Sequence, residues 1–206
     1  MLSLENAFPP LTPESAPMES PSLRMGATSA LAQPRIPSSV FEGLFVRGME
    51  PHAGLARALA TEGYQPRCPE VDYPVNTWKR CVFQARNLVY GQLNDPDAYR
   101  LLGRKLTEGF ANTLIGRVAA VAMPMIGPAL VVERLPRYLS MMGRPDLQVR
   151  LVSRGMRERV ASIPDIHNPP EFIAGALEVA LELAHARPII LVEDRSPPGF
   201  RLNIRW

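Results

Sequence analysis

The sequence has few of the residues that build disulfide-bonded or metal-binding proteins. Of its 206 residues only two are cysteines, Cys68 and Cys81, and three are histidines. Two cysteines outside any CxxC pattern argue against a disulfide framework and are typical of a reducing compartment. The histidines, His52, His167 and His185, are scattered, and DIH at 165–167 has no third ligand nearby. We therefore expect no metal site.

Catalytic motifs and nucleic-acid signals are also missing. The chain contains no GxSxG, GxxxxGK[ST], GxGxxG or HExxH pattern, and no acid–base pair or activated nucleophile can be assembled from it. Its net charge of +3 is small and its aromatic content is 7%, which does not suit a nucleic-acid-binding surface. The sequence therefore favours a non-catalytic protein without a cofactor.

A run long enough to span a membrane is absent. The longest uncharged stretch, VAAVAMPMIGPALVV at 118–132, would extend only about 22 Å as a helix, against a hydrocarbon core of about 30 Å. Pro124 and the Gly-Pro pair at 127–128 interrupt it. We expect two buried helical pieces in the core or in a pocket wall. The start, MLSLENAFPP, does not have the features of a signal peptide, which predicts a cytoplasmic protein.

Proline, by contrast, is abundant. The chain has 22 prolines, about twice the average usage of roughly 5%. Seven of them fall within residues 1–38, mixed with serine, alanine and glutamate and without a hydrophobic period. Such a segment cannot bury enough apolar surface to offset its ordering entropy. The sequence predicts a disordered tail over 1–38 and a single domain over 39–206.

The first ordered elements are short. Val40–Val46 is rich in strand-forming residues and ends at Gly48, which predicts a strand. In AGLARALATEG, Leu55 and Leu59 lie four residues apart and Gly63 follows. This pattern predicts a short helix that ends at the glycine.

Two longer helices follow, in YPVNTWKRCVFQARNLVYG and NDPDAYRLLGRKLTEGFANTL, where apolar residues recur at helical spacing. Asp95 as N-cap and Pro96 at the first helical position predict the start of the second helix. Gly103 and Gly109 lie inside it at a cost of about 1 kcal/mol each. We expect both glycines to admit close approach of a neighbouring helix.

From Asp146 onward the hydrophobic period changes from 3.6 to 2, as in strands. Two strands are followed by a helix with Asn168 as cap, Pro169 at its first position and Glu171 as capping-box acid. Two further strands, IILVEDR and FRLNIRW, complete the chain and place Trp206 as the last inward side chain. We predict an α+β fold, with a helical layer packed on a C-terminal antiparallel β-β-α-β-β sheet.

Four segments together resemble a paralogous family of unknown function from the myxobacteria. They are YPVNTWKRCVFQARNLVYG, AYRLLGRKLTEGFANTLIGR, MIGPALVVERLPRYLSMMGRPD, and PPEFIAGALEVALELA with GFRLNIRW. The resemblance covers roughly residues 40–206. It implies no established activity.

The order of the last elements is also similar in layout to the 4-vinyl-reductase domain and to the haem-NO-binding and TRAPP-type folds. These folds place a glycine-marked helix before two terminal strands and use a hydrophobic interior pocket. SPPG stands where the 4-vinyl-reductase pattern often has cysteines, and the haem-associated YxSxR motif is absent. The resemblance therefore implies a pocket, but neither a metal nor haem.

These observations support a first hypothesis, a non-catalytic ligand-sensing or regulatory adaptor domain. Its hydrophobic pocket would take a small apolar ligand or be filled by side chains. The candidate pocket residues are Phe110, Leu114, Met123, Ile126 and Phe172.

The alternative is a structural protein–protein interaction module. It would dimerise or dock an acidic protein partner through a sheet edge or through an arginine-rich sheet face. The candidate contact residues are Arg150, Arg157, Arg159, Arg201 and Arg205. A solvated sheet face explains the same arginines, and few aromatics interleave with them, so we expect no nucleic acid.

Overall fold

The computed structural model of the chain describes residues 33–50, 52–195 and 198–206. Most of the predicted tail lies outside this part. Near its end the prediction is wrong, because Arg35–Pro37 form strand β1, which pairs antiparallel with β2, Asp72–Pro74, and Ser38 begins the first helix. Gln33–Trp206 make up one structural unit.

The strand predicted at Val40–Val46 is wrong, because these residues are helical. Helix α1 spans Ser38–Phe41, and a π-helix continues over Glu42–Gly48. Four of their apolar side chains are buried at helical spacing, namely Val40, Phe41, Leu44 and Phe45. The ring of Phe41 lies 4.7 Å from that of Tyr64 and 5.1 Å from that of Trp78, centre to centre. Packing among these distant aromatic residues outweighs the local strand propensity.

Helices α2, Ala53–Thr61, and α3, Val75–Val89, follow the predicted patterns. The N–H of Leu55 donates to Nδ1 of His52 at 3.0 Å, so the histidine caps α2. Gly63, with φ of +98°, follows the end of α2 as predicted. Helix α3 buries Trp78 and Cys81 among its apolar residues.

Helix α4, Asp95–Ala111, begins one residue earlier than predicted. Asn94 is the N-cap, and its side chain accepts the N–H of Asp97 at 2.9 Å. As expected, the glycines of α4 permit close packing. A β-carbon on Gly103 would lie 1.9 Å from the carbonyl oxygen of Phe172, and one on Gly109 would lie 1.9 Å from that of Gly43.

Helix α5, Leu114–Glu133, consists of two helical pieces joined at Gly127, where φ is +72° and ψ is 166°. Helix α6, Leu135–Met141, follows. The expectation of two pieces is confirmed, but the expectation that both are buried is wrong. Val131 and Val132 are fully buried, whereas most of the first piece is exposed. The sequence could not show this, because α5 is apolar on all sides and has no polar stripe to mark an outer face.

The C-terminal half has the predicted β-β-α-β-β order. Its strands are β3, Arg150–Gly155, β4, Glu158–Ile163, β5, Ile189–Asp194, and β6, Phe200–Arg205. They form an antiparallel sheet in the order β3-β4-β6-β5.

Helix α7, Pro170–Leu183, lies between β4 and β5 in the chain. It packs against α4, β5 and β6. The buried side chains of the sheet include Ala161, Ile163, Ile190, Leu202 and Ile204. Trp206 packs partly buried against this core.

Candidate functional site

A cavity of about 360 Å³ lies between α4, α5, α6 and α7. This volume falls within the range of ligand pockets, about 300–1,000 Å³. Its walls are mainly apolar and include Leu106, Phe110, Ala120, Met123, Leu139 and Leu177.

Each helix contributes to the walls through residues at helical spacing. From α7, Ile173, Leu177 and Ala180 line the cavity, and Leu106 and Phe110 do so from α4. The α5 side is built differently. There Gly116, Ala119 and Ala120 face the cavity before Met123 does. Because these residues have little or no side chain, α5 spans the cavity without filling it.

Three of the lining residues carry a side-chain hydroxyl, namely Ser39, Thr107 and Tyr138. Thr107 already donates to the carbonyl oxygen of Ala176 at 3.0 Å. Within the described ranges, the hydroxyls of Ser39 and Tyr138 have no hydrogen-bond partner, and no charged side chain lines the cavity. The site therefore suits an apolar molecule with one or two uncharged polar groups.

The five predicted pocket residues separate into two groups. Phe110 and Met123 line the cavity. Leu114 points outward and is 84% exposed, and Ile126 packs partly buried against the core without lining the cavity. Phe172 is buried with its ring 5.9 Å from that of Trp78. Two of the five thus line the cavity and three do not, because the phase of each helix decides which side chains face it.

Sequence reasoning missed the contribution of α6. Leu135, Tyr138 and Leu139 line the cavity from this short helix, and Met142 does so from its C-cap position. Their spacing of three, four and seven residues was the available signal. A helix of seven residues offers too few repeats for that period to be distinguished from the preceding apolar run.

Three of the five predicted contact arginines are engaged within the protein. Arg205 pairs with Glu158 at 3.1 Å, and Arg201 pairs with Asp194 at 3.4 Å. The guanidinium of Arg159 lies 5.5 Å from the centre of the Trp206 ring. Among the described residues Arg150 and Arg157 form no ion pair. The five arginines do not share one sheet face, because Arg159 pairs with the buried Ile204 and so lies on the opposite face from Arg201 and Arg205.

The cysteines and histidines differ in burial and in their charged neighbours. Burial raises the pKa of the Cys81 thiol to about 12, so it stays protonated as a small apolar side chain, whereas Cys68 is exposed. Burial, and secondarily the charge of Arg144, lowers the pKa of His167. In the part of the chain that the structure describes, no three His, Cys, Asp or Glu side chains could together hold a metal ion.

A buried polar cluster supports the start of α7. Asp165 accepts the backbone N–H of His167 at 2.8 Å and pairs with Arg144 at 2.7 Å. Asn168 donates to Asp165 at 2.7 Å and accepts from the Trp78 indole at 3.0 Å. Asn168 is therefore part of this cluster and not the predicted cap, since Pro169 occupies the N-cap position. The DIH segment thus orders a turn.

Solved H-NOX structures share the fold of this chain at low sequence identity. A mutant of the Fe(II) unliganded H-NOX protein from K. algicida has 11% identity and a TM-score of 0.55, with coverage of 82% of this chain and 96% of that one. An oxygen-binding H-NOX domain related to soluble guanylate cyclases has 14% identity and a TM-score of 0.54. The match covers 82% of this chain and 90% of that one. At such identity the likeness shows the fold alone. The expected likeness to the haem-NO-binding fold is confirmed.

Another solved structure with this fold comes from work on haem redox potential and porphyrin distortion. It has 13% identity and a TM-score of 0.55, and the match covers 82% of this chain and 90% of that one. A haem needs a side chain that binds its iron, commonly histidine or cysteine, and cations that pair with its propionate groups. The lining of the present cavity has no histidine or cysteine, and no arginine or lysine for the propionate groups. The residues present do not fit haem.

A family model described as protein of unknown function, DUF2378, matches residues 35–206. A comparison with curated protein sequences finds no match. The family match agrees with the expectation of a family of unknown function over nearly the same residues. Restriction to the myxobacteria stays a prediction.

Proposed function

The chain belongs to the DUF2378 family of proteins of unknown function, and we propose that it is a ligand-sensing domain for a small apolar molecule. The observation that carries this proposal is the cavity of about 360 Å³ between α4, α5, α6 and α7. Well-packed cores contain few voids larger than a water molecule. An apolar space of this size is therefore a feature that a ligand would fill. A cytoplasmic location stays a prediction.

The lining defines the ligand class. Leu106, Phe110 and Leu177 offer apolar contact, while Ser39 and Tyr138, whose hydroxyls have no hydrogen-bond partner among the described residues, can bind an uncharged polar group. A charged ligand would leave its charge unpaired in an apolar site, at a high cost in free energy. We therefore propose a small ring compound or a short chain that carries a hydroxyl, amine or carbonyl group.

Sensing requires a ligand that stabilises one conformation more than another. Helix α5 suits this role because it covers the cavity and is broken at Gly127. A ligand touching Ala120 and Met123 would hold the first piece of α5 against α4 and α7. The signal would then be the position of this piece of α5.

The test uses 1-aminoanthracene, an apolar fluorophore with one amine, and the full chain. Ala120 lines the cavity, whereas Ala122, two residues away on the same helix, is exposed. We expect saturable one-to-one binding to the unchanged protein and to Ala122→Phe. Ala120→Phe should bind at least tenfold more weakly, because the ring occupies the ligand space. Circular dichroism checks that both variants fold.

Equal binding by Ala120→Phe and Ala122→Phe, or no saturable binding by any of the three proteins, would contradict the proposal. Native mass spectrometry of the purified full chain complements this test. An added mass that disappears in Ala120→Phe would identify the natural ligand class.

The second candidate function is an interaction module that docks an acidic protein partner. It is supported by Arg150, on the edge strand β3, and Arg157, in the β3–β4 turn, neither of which has an ion pair in the described ranges. In this case Arg150→Glu with Arg157→Glu would abolish partner binding and leave 1-aminoanthracene binding unchanged.

A further inference from the structure

We propose that the outer face of α5 binds an anionic membrane surface. Leu114, Val118, Val121 and Met125 are 84%, 72%, 76% and 88% exposed. Their spacing of four, three and four residues places them on one stripe of the helix. This set is called the α5 stripe below. A contiguous row of large apolar side chains in water is costly and marks a contact surface.

The exposure of α5 is unusual for a helix of its composition. By length and composition alone, Gly116–Glu133 could cross a membrane. Only 17% of these residues are buried in the protein, however. A core helix of the same composition would be mostly buried. Here one side of α5 covers the cavity, and in the described part of the chain nothing covers the α5 stripe.

The geometry favours a helix that lies on a membrane over one that spans it. The helix breaks at Gly127, and prolines stand at positions 124 and 128. Its first piece, residues 114–126, is about 20 Å long at 1.5 Å per residue, shorter than the hydrocarbon core of about 30 Å. Such a piece can bury its apolar face at the boundary between headgroups and acyl chains.

The charges on α5 and in the helix after it complement anionic lipid. Arg117 lies three residues after Leu114 and four before Val121, so it borders the stripe. Arg134 and Arg137 follow the end of α5, and all three arginines are exposed with no ion pair in the described ranges. Glu133 is the only acidic residue between 114 and 142, and it pairs with Arg159 at 3.6 Å.

These charges argue against a second copy of the chain as the occupant. A two-fold symmetric contact through the α5 stripe would bring the same patch of each copy together. The Arg117 side chains would then approach each other without an acidic partner, which is unfavourable. Anionic lipid headgroups instead neutralise the arginines while acyl chains cover the apolar side chains.

The test is co-sedimentation of the full chain with large vesicles of phosphatidylcholine alone or with 30% phosphatidylglycerol. We expect binding to the anionic vesicles that weakens with salt. Met125→Glu should lower the partition coefficient about tenfold, because one apolar side chain no longer enters the lipid. The matched control is Met156→Glu, at an exposed methionine in the β3–β4 turn, which should bind as the unchanged protein does.

A second pair of variants tests the charge. Arg117→Gln should lower binding to the anionic vesicles about fivefold. Arg187→Gln, at an exposed arginine after α7, should have less effect. Absence of binding to anionic vesicles, or equal binding by Met125→Glu and Met156→Glu, would overturn the proposal. A dimer in light scattering that Met125→Glu dissociates, without vesicle binding, would assign the α5 stripe to a second copy.

Membrane binding by the α5 stripe does not depend on whether the cavity binds a ligand. Ala120→Phe fills the cavity and leaves the α5 stripe unchanged, so it should retain vesicle binding while losing 1-aminoanthracene. Conversely, Met125→Glu should lose vesicle binding and still bind 1-aminoanthracene. Each proposal can thus fail without the other.

Discussion

At the residue scale, His185 takes a backbone conformation that residues with side chains rarely adopt. Its φ is +59°. It lies just after α7 and follows the C-cap residue, Ala184. Its N–H donates to the carbonyl of Glu182 at 2.9 Å, and that of Ala186 donates to Leu181 at 3.0 Å. These two bonds form a Schellman motif, in which glycine is the usual residue at this position.

His185→Gly is expected to stabilise the protein. Glycine removes a steric cost of about 1–2 kcal/mol for a left-handed residue, partly offset by its greater freedom in the unfolded chain. We expect the free energy of unfolding in urea to rise by about 1 kcal/mol. His185→Ala keeps the β-carbon and should show no such gain. A glycine variant less stable than the alanine variant would contradict this account.

At the element scale, the crossing of α4 and α7 depends on two facing glycines. A β-carbon on Gly103 would lie 1.9 Å from the carbonyl oxygen of Phe172, and one on Gly175 would lie 2.0 Å from that of Arg100. The backbones meet without intervening side chains. Beside this contact, Arg104 pairs with Glu182 at 2.8 Å, and these bonds raise the pKa of the Arg104 guanidinium. The crossing positions the α4 and α7 walls of the cavity.

Gly103→Ala should therefore destabilise the protein, although alanine is the better helix former. The added methyl group forces the two helices apart, and such overpacking costs about 1–3 kcal/mol. Gly155→Ala is the control, because a β-carbon there meets its nearest atom at 3.9 Å. Thermal and urea unfolding should show a loss for the first variant and almost none for the second. Equal stability of the two variants would refute the close contact.

At the scale of the whole molecule, a buried ion pair joins separate parts of the fold. The guanidinium of Arg144, which follows α6, pairs with Asp165 at 2.7 Å and with Asp146 at 2.8 Å. Asn168 connects Asp165 to the indole of Trp78 on α3. The cluster thus joins the helical layer to the connection between β4 and α7. Arg144 also holds the pKa of Asp146 below its usual value.

Arg144→Ala would leave the carboxylate of Asp165 buried without its cation. Removing one partner of a buried pair costs about 3–5 kcal/mol, so we expect a large loss of stability in urea, followed by tryptophan fluorescence. Arg205→Ala removes an exposed pair with Glu158 and should cost less than about 1 kcal/mol. Similar losses of stability for both variants would show that the buried cluster contributes no more to folding than an exposed ion pair does.

Much of the candidate site could be predicted from the sequence, but only to the level of elements. Apolar periodicity predicted α4, and the uncharged run at 118–132 predicted α5. Phe110 and Met123, which lie on these helices, line the cavity. Leu114 and Phe172 were selected by the same periodicity, yet one faces solvent and the other packs against Trp78. The spacing of apolar residues identifies the apolar face of a helix. What packs against that face depends on how the helices are arranged in the fold.

By itself, the sequence determined the antiparallel β-β-α-β-β half, the short helix before Gly63 and the break at Gly127. The alternation of apolar and polar residues, the turn residues and the conformation of glycine depend mainly on residues that are close in sequence. Only the tertiary structure decided that Val40–Val46 is helical, that the cavity stays open and that the α5 stripe faces outward. Each of these depends on contacts between residues far apart in the chain, because burial is a property of the packed molecule.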